Sequence, residues 1–100
     1  MTELERTDLG RIAVSPAALR RVVTRTAEQV DGVRVRRQRR SPRVEVSGGA
    51  ARVTVGLAVR RGTIVPDAAR AVQACVADAV GSMLEVRVEA VDVAVEDVFQ

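Results

Sequence analysis

Two stretches in which valine alternates with other residues constrain the fold of this chain more than any other feature. In residues 51–60 every second residue, beginning with Ala51, is apolar. Residues 84–99 repeat this pattern, and its phase shifts by one residue at Ala90. A period of two places one set of side chains on each face of a sheet. The branched Cβ of valine suits such a pleated, half-buried surface. The pattern therefore predicts a Val-rich sheet, and the phase shift predicts a bulge in its last strand.

Two segments with apolar residues at spacings of three and four predict helices that cover the buried face. Ser15-Pro16 is a typical helix start, a hydroxyl N-cap followed by proline at the first helical position, and Asp31-Gly32 marks the end. Pro66-Asp67 opens the second helix, and Gly81-Ser82 is expected to end it. Cys75 falls on the predicted inward stripe, which makes it a buried structural thiol rather than a reactive one.

The order of elements predicts the fold class. Gly10–Val14 is a short first strand, and Arg43–Ser47 is expected to form a hairpin with 51–60 around Gly48-Gly49. Pro42 should interrupt any strand that precedes it. The order β-α-β-β-α-β predicts a two-layer α+β fold, with two helices packed on one face of a Val-rich mixed sheet. A ferredoxin-like topology follows from that order by analogy.

The ends of the chain carry less pattern. Residues 1–9 are polar and lack periodicity, so we expect a flexible N-terminal tail, followed by a single domain over residues 10–99. The first residues are charged and contain no apolar core of a signal peptide. No apolar run approaches the ~18 residues that a membrane span needs. The single cysteine excludes an internal disulfide, which fits a reducing cytoplasm.

The residue types that carry most catalytic chemistry are scarce here. The chain has no histidine, and one cysteine cannot build a zinc site. No phosphate-binding glycine loop or nucleophile elbow is present. The acids near the C-terminus alternate onto the wet face of a strand, so we do not expect them to bind a metal; they are Glu85, Glu89, Asp92 and Glu96. The sequence predicts a protein that is not an enzyme and needs no cofactor.

A basic segment is the most individual feature of the chain. Six arginines and no acid lie between residues 34 and 43. These candidate residues for binding an anionic surface are Arg34, Arg36, Arg37, Arg39, Arg40 and Arg43. Near an anionic membrane each basic residue contributes roughly 1 kcal/mol, so a flexible loop that lets the six act together would suffice for weak attachment. Residues 85–97 carry five acids against one arginine, so the charge is unevenly distributed.

Two other interpretations of the basic segment remain open. It can be a solvated loop with no anionic partner, as most charge runs are. It can also bind nucleic acid, because phosphate contacts dominate non-specific affinity. The chain offers one aromatic residue, Phe99, and no RNA-binding signature, so base stacking has little support.

Three stretches together resemble a known family. GRIAVSPAALRRVVTRTAEQVDGV (residues 10–33) resembles the opening of the alkaline shock protein family, also called Gls-type envelope stress response proteins. RVTVGLAVRRGTIVPDAARAVQACVADAVGSM is similar to its alternating strand, turn and helix, and LEVRVEAVDVAVEDV to its closing strand. The resemblance spans residues 10 to about 98, with VRVRRQRRSPR standing where members often have a glycine-rich loop.

The resemblance implies a bacterial, cytoplasmic and non-enzymatic protein of the envelope and general stress response. Such a protein is expected to act as a scaffold or interaction module, peripheral at the inner face of the cell membrane. The basic segment would then contact a membrane-anchored protein partner or an anionic membrane surface. It could also contact the acidic strand of a second copy, giving a homo-oligomer. A small nucleic-acid-binding module that uses Arg34–Arg43 is the alternative.

Overall fold

The computed structural model describes residues 2–37 and 41–100. Its elements follow one another as two strands, a helix, three strands, a helix and a final strand. Their bounds are β1 Thr2–Thr7, β2 Gly10–Val14, α1 Pro16–Ala27, β3 Val33–Val35, β4 Arg43–Ser47, β5 Ala50–Arg60, α2 Val65–Leu84 and β6 Arg87–Phe99.

The main sheet is built around β5, its longest internal strand. On one side β4 and β3 pair antiparallel with successive parts of β5, so together they form a single interrupted edge. On the other side β6 runs parallel to β5 along its whole length. The parallel pair is connected through α2, as a crossover requires. This mixed sheet confirms the predicted α+β class.

Both helices pack on the same face of this sheet. The odd-numbered residues of β5 from Val53 to Val59 are at most 1% exposed, and Val53, Val55 and Leu57 join the buried side chains of α1 and α2 in one apolar cluster. Even-numbered residues such as Arg52 and Thr54 lie on the opposite face, which no described helix covers. We call this second surface the open sheet face. The alternation in the sequence therefore predicted the two faces of β5 correctly.

The predicted turn and bulge are both confirmed. Gly48 and Gly49 have φ of 58° and 75° and connect Ser47 to Ala50, a two-residue turn whose two positive φ angles favour glycine. In β6 the register shifts between Val88 and Ala90, which leaves Glu89 as the extra residue. A second shift leaves Glu96 unpaired in the same way. This second bulge was not predicted, although the spacing of three between Val95 and Val98 was an available signal.

The N-terminal residues are more regular than expected. Thr2–Thr7 forms strand β1 and pairs with β2 in a separate two-stranded sheet. The predicted first strand, Gly10–Val14, therefore pairs outside the main sheet, unlike the first strand of a ferredoxin-like fold. The side chains of Leu4 and Val14 pack against the core. Two expectations stay predictions: that residues 1–9 are flexible and that residues 10–99 form the domain.

Helix α2 corrects two expectations. It continues through Gly81 to Leu84, and Glu85 ends it in the left-handed conformation with φ of 53°. Glycine costs about 1 kcal/mol in a helix interior, but the added turn buries Leu84, which is 5% exposed. The predicted burial of Cys75 is wrong, because this thiol is exposed. The inward residues recur every four positions from Ala68 to Leu84, and that row passes beside Cys75.

Candidate functional site

The basic segment leaves the main sheet at a well-defined point. The N–H of Arg36 donates to the carbonyl of Gly56 at 2.8 Å, and the N–H of Gly56 donates to the Ser41 hydroxyl at 2.8 Å. Both backbone groups of Gly56 are therefore satisfied where the edge strand is interrupted. Pro42 is buried and β4 begins after it, as the sequence predicted. These contacts hold the two ends of the segment against β5.

Helix α1 lies beside this segment and presents a second set of arginines. Its start is fixed by the Ser15 hydroxyl, which accepts the N–H of Ala18 at 3.1 Å. At about 100° per residue, Arg20, Arg21 and Arg25 fall within an arc of about 140° around the helix axis. Leu19 and Val23 on the neighbouring flank are buried in the core. The helix therefore directs its arginines towards the basic segment, while its apolar side anchors it to the sheet.

Between α1 and the segment lies an open groove of about 990 Å³. We call it the arginine groove. Five arginines from two parts of the chain line it: Arg20, Arg21 and Arg25 come from α1, and Arg37 and Arg43 come from the basic segment. Leu19, Thr24, Pro42 and Val44 add less polar surface, and Thr2 of β1 lies at its border. The groove thus gathers arginines that are far apart in sequence.

Glu28 contributes the acid of the arginine groove. It caps the C-terminal end of α1, and its Oε2 accepts the N–H of Val35 in β3 at 2.9 Å. This contact ties the end of α1 to the edge strand. The carboxylate is therefore engaged in a structural hydrogen bond and does not form an ion pair within 4.0 Å with any described arginine.

The arginines of the groove differ from those near the open sheet face. Among the described residues, Arg20, Arg21, Arg25 and Arg37 have no acidic partner within 4.0 Å. In contrast, Arg52 pairs with Asp92 at 3.0 Å across β5 and β6. Close to the same face, Arg60 pairs with Asp31 at 3.2 Å. The groove therefore concentrates positive charge that the protein itself does not neutralise.

The structure separates the four described members of the six arginines that were predicted as one set. Arg34 stacks over the Phe99 ring, and its guanidinium carbon lies 3.8 Å from the ring centroid. The Nη1 atom of Arg36 lies 3.8 Å from Oδ2 of Asp97. Both are therefore directed to the end of β6. Arg37 and Arg43 line the arginine groove, and Arg43 also pairs with Glu45 at 3.0 Å. Arg39 and Arg40 lie outside the described residues.

Sequence reasoning did not include Arg20, Arg21 and Arg25 in the candidate site. The spacing of four between Arg21 and Arg25 was the available signal, since residues at this spacing share a helix face. Nothing in the sequence indicated that Arg37 and residues 41–44 lie alongside that face.

The groove is suited to binding rather than to bond breaking. Guanidinium groups stay protonated and cannot act as general bases. Their planar donors match carboxylate and phosphate oxygens in pairs. The exposed side chains leave these donors accessible to a partner in solution. Within the described parts of the chain, neither helix is both long and apolar enough to span a membrane.

Comparisons with known proteins agree with this architecture. The model of the alkaline shock protein 23 family, described as having a cell envelope-related function, matches residues 4–100. No curated protein matches the chain significantly. Among solved structures, a triple variant of the MamM CTD aligns with a TM-score of 0.54 and 24% identity, covering 81% of this chain and 93% of that one. A copper form of another MamM CTD variant aligns with a TM-score of 0.53 and 24% identity, covering 81% and 95%. At this identity the likeness concerns the fold alone.

Proposed function

Because the chain belongs to the alkaline shock protein 23 family, whose function is cell envelope-related, we propose that it is a non-enzymatic scaffold of the envelope stress response. In this proposal it docks through the arginine groove onto an anionic partner. It acts in the cytoplasm, peripheral to the inner face of the membrane. The partner is a membrane-anchored protein or the anionic lipid surface itself.

One observation carries this proposal. Four arginines of the groove lack acidic partners among the described residues, whereas Arg36, Arg52 and Arg60 near the open sheet face are paired. Holding like charges together opposes folding unless a ligand compensates for the repulsion. A partner with carboxylate or phosphate groups supplies that compensation. This attraction between the partner's anionic groups and the arginines exists only in the complex. The arrangement is therefore explained better by binding than by a contribution to the stability of the free protein.

The position of the acidic strand supports an external partner over the chain's own acids. Asp92 and Asp97 of β6 already engage Arg52 and Arg36 within the same molecule. Glu89 pairs with Arg87 at 3.2 Å. The acidic end of the chain is thus partly neutralised internally, which weakens its attraction for the groove of a second copy.

Co-sedimentation with vesicles tests the proposal. The protein is mixed with vesicles of neutral lipid and of high anionic lipid content, each at low and high salt. A groove variant, Arg20→Gln with Arg21→Gln and Arg25→Gln, is compared with a control variant, Arg61→Gln with Arg70→Gln and Arg87→Gln. Both lose three positive charges, and glutamine preserves helix propensity.

We expect salt-sensitive recruitment to anionic vesicles that the groove variant loses and the control variant keeps. If the vesicles recruit nothing, direct lipid binding is excluded and the anchored protein partner remains. Equal loss in both variants would show that net charge alone acts, which contradicts a role for the groove.

A titration with single-stranded DNA under the same conditions tests the nucleic-acid alternative. Phe99, the single aromatic residue, is covered by Arg34.

A further inference from the structure

Strand β4 lies on the edge of the main sheet and borders open space. Of the described strands only β5 pairs with it. Arg43 and Val44 line the arginine groove, and Val46 and Ser47 line a second depression of about 650 Å³ shared with β1. The two halves of β4 therefore contribute to two different depressions. An edge of this kind presents backbone N–H and C=O groups that another chain can pair with.

Helix α1 provides the opposite wall of the same space. The groove follows the helix from Pro16 to Glu28, a length of about 18 Å at 1.5 Å per residue. An extended chain covers that distance in about five residues. Extended peptides bind to an exposed strand edge of this kind by adding a strand to the sheet. The space thus has the length and the backbone partner that a short strand needs.

We propose that the arginine groove binds an acidic peptide segment of a protein partner in extended conformation, as an added strand on the outer edge of β4. This inference rests on the proposed function and specifies its partner. The backbone of the peptide pairs with β4, while alternate acidic side chains face the arginines of α1. Arg20, Arg21 and Arg25 select for acidic residues on that side of the peptide.

The acids of β1 also limit where along β4 an acidic residue of the peptide is favoured. Glu3 and Glu5 of β1 line the second depression. Glu3 pairs with Arg6 and Arg11, whereas Glu5 has no arginine within 4.0 Å among the described residues, so Glu5 disfavours acidic residues at that end of β4. The bound segment is therefore acidic where it faces α1 and neutral or basic where it approaches β1. Glu45 pairs with Arg43 at 3.0 Å, and this ion pair lies towards the open sheet face because the two residues are opposite Arg52 and Thr54 in the register.

Alternate N-methylation tests strand addition separately from charge. The probe is a fluorescent peptide of alternating glutamate and threonine, compared with two versions methylated on all glutamate or all threonine nitrogens. The three peptides carry the same charge. Alternate N–H groups of a strand point to opposite sides, so methyl groups face β4 in only one of the two versions for a given strand direction.

Strand addition predicts that at least one methylated peptide binds about tenfold or more weakly than the parent peptide by fluorescence anisotropy. The parent should also protect amides of Arg43–Ser47 from hydrogen exchange. The groove variant, Arg20→Gln with Arg21→Gln and Arg25→Gln, should lose binding of the parent peptide, while the variant with Arg61, Arg70 and Arg87 replaced by glutamine keeps it.

The outcomes separate this inference from the proposed function. Equal affinity of all three peptides, without protection of β4, would overturn strand addition. If the groove variant nevertheless loses vesicle or peptide binding, the groove still functions as an anionic docking site. If neither vesicles nor peptides distinguish the groove variant from its control, both proposals fail.

Discussion

The arginine groove and the open sheet face use the same residue type for different purposes. Near the sheet face, Arg52 and Arg60 each have an acidic partner, and their charges balance within the molecule. In the groove, Arg20, Arg21 and Arg25 share no such partner among the described residues. Exposed ion pairs contribute little to stability, whereas unpaired arginines remain available for a partner. The comparison shows that the arrangement of charges, more than their number, distinguishes a binding surface from a solvated one.

Charge reversal in the groove should give the largest effect. Replacing both Arg21→Glu and Arg25→Glu should weaken binding to anionic vesicles or to the acidic peptide by more than tenfold. The reason is that each basic residue near an anionic surface contributes roughly 1 kcal/mol, and reversal turns attraction into repulsion. Isothermal calorimetry or anisotropy measures the change. Reversing Arg52→Glu on the sheet face serves as the control, and an equal loss there would remove the distinction between the two regions.

Neutralising the acid in the groove should act in the opposite direction. Glu28→Gln removes one negative charge from the lining, while its amide oxygen can still accept the N–H of Val35. We expect anionic partners to bind a few-fold more tightly at low salt, since one like-charge repulsion disappears. A salt titration of affinity checks this, because the gain should shrink as salt increases. Weaker binding in a variant that remains folded would show that Glu28 positions the groove chiefly through its charge.

Breaking an ion pair on the sheet face should change little. Asp92→Asn removes the partner of Arg52, and both side chains are more than half exposed. The free energy of unfolding should fall by at most about 1 kcal/mol, and vesicle binding should stay the same. Urea denaturation and co-sedimentation measure the two quantities. If the freed Arg52 alone increased binding several-fold, any unpaired arginine would serve and the groove would have no special role.

Filling the space above Gly56 should have the smallest effect. An added Cβ would meet the carboxylate of Glu96, which lies over this glycine on the sheet face. That carboxylate is the far end of an exposed side chain and can move away, and alanine has less backbone freedom to lose on folding than glycine. Gly56→Ala should therefore change the free energy of unfolding by less than about 1 kcal/mol. A larger loss would mean that Glu96 is held in place and that the sheet face is less adaptable than its exposure suggests.

The elements of the main sheet were predictable because their signals are local. Alternation identified the two faces of β5, the double glycine identified the turn, and Ser15-Pro16 identified the start of α1. These features depend on residues within a few positions of one another. The end of α2 was not predictable from Gly81, because the tertiary burial of Leu84 outweighs the local preference of glycine.

The candidate site was predictable only in part, because it joins distant segments. The basic segment was visible in the sequence, but its arginines diverge: Arg34 contacts Phe99 while Arg37 lines the groove. In the sequence, the arginines of α1 have the pattern of an ordinary solvent-exposed helix face. Their proximity to Arg37 and residues 41–44 depends on where the core positions α1 over the edge strand. No local pattern encodes that distance, just as none indicated that Thr2–Thr7 pairs with β2.

The parallel pairing of β5 with β6 has a consequence for the order of folding. Ala50 pairs with Arg87 and Arg60 with Phe99, so every contact between these strands spans the whole of α2. The β4–β5 hairpin closes through two residues instead, and local closure costs less chain entropy. We therefore expect β4 and β5 to associate early, while the docking of β6 limits the rate. The contacts of Arg34 and Arg36 with the end of β6 then form in the last stage of folding.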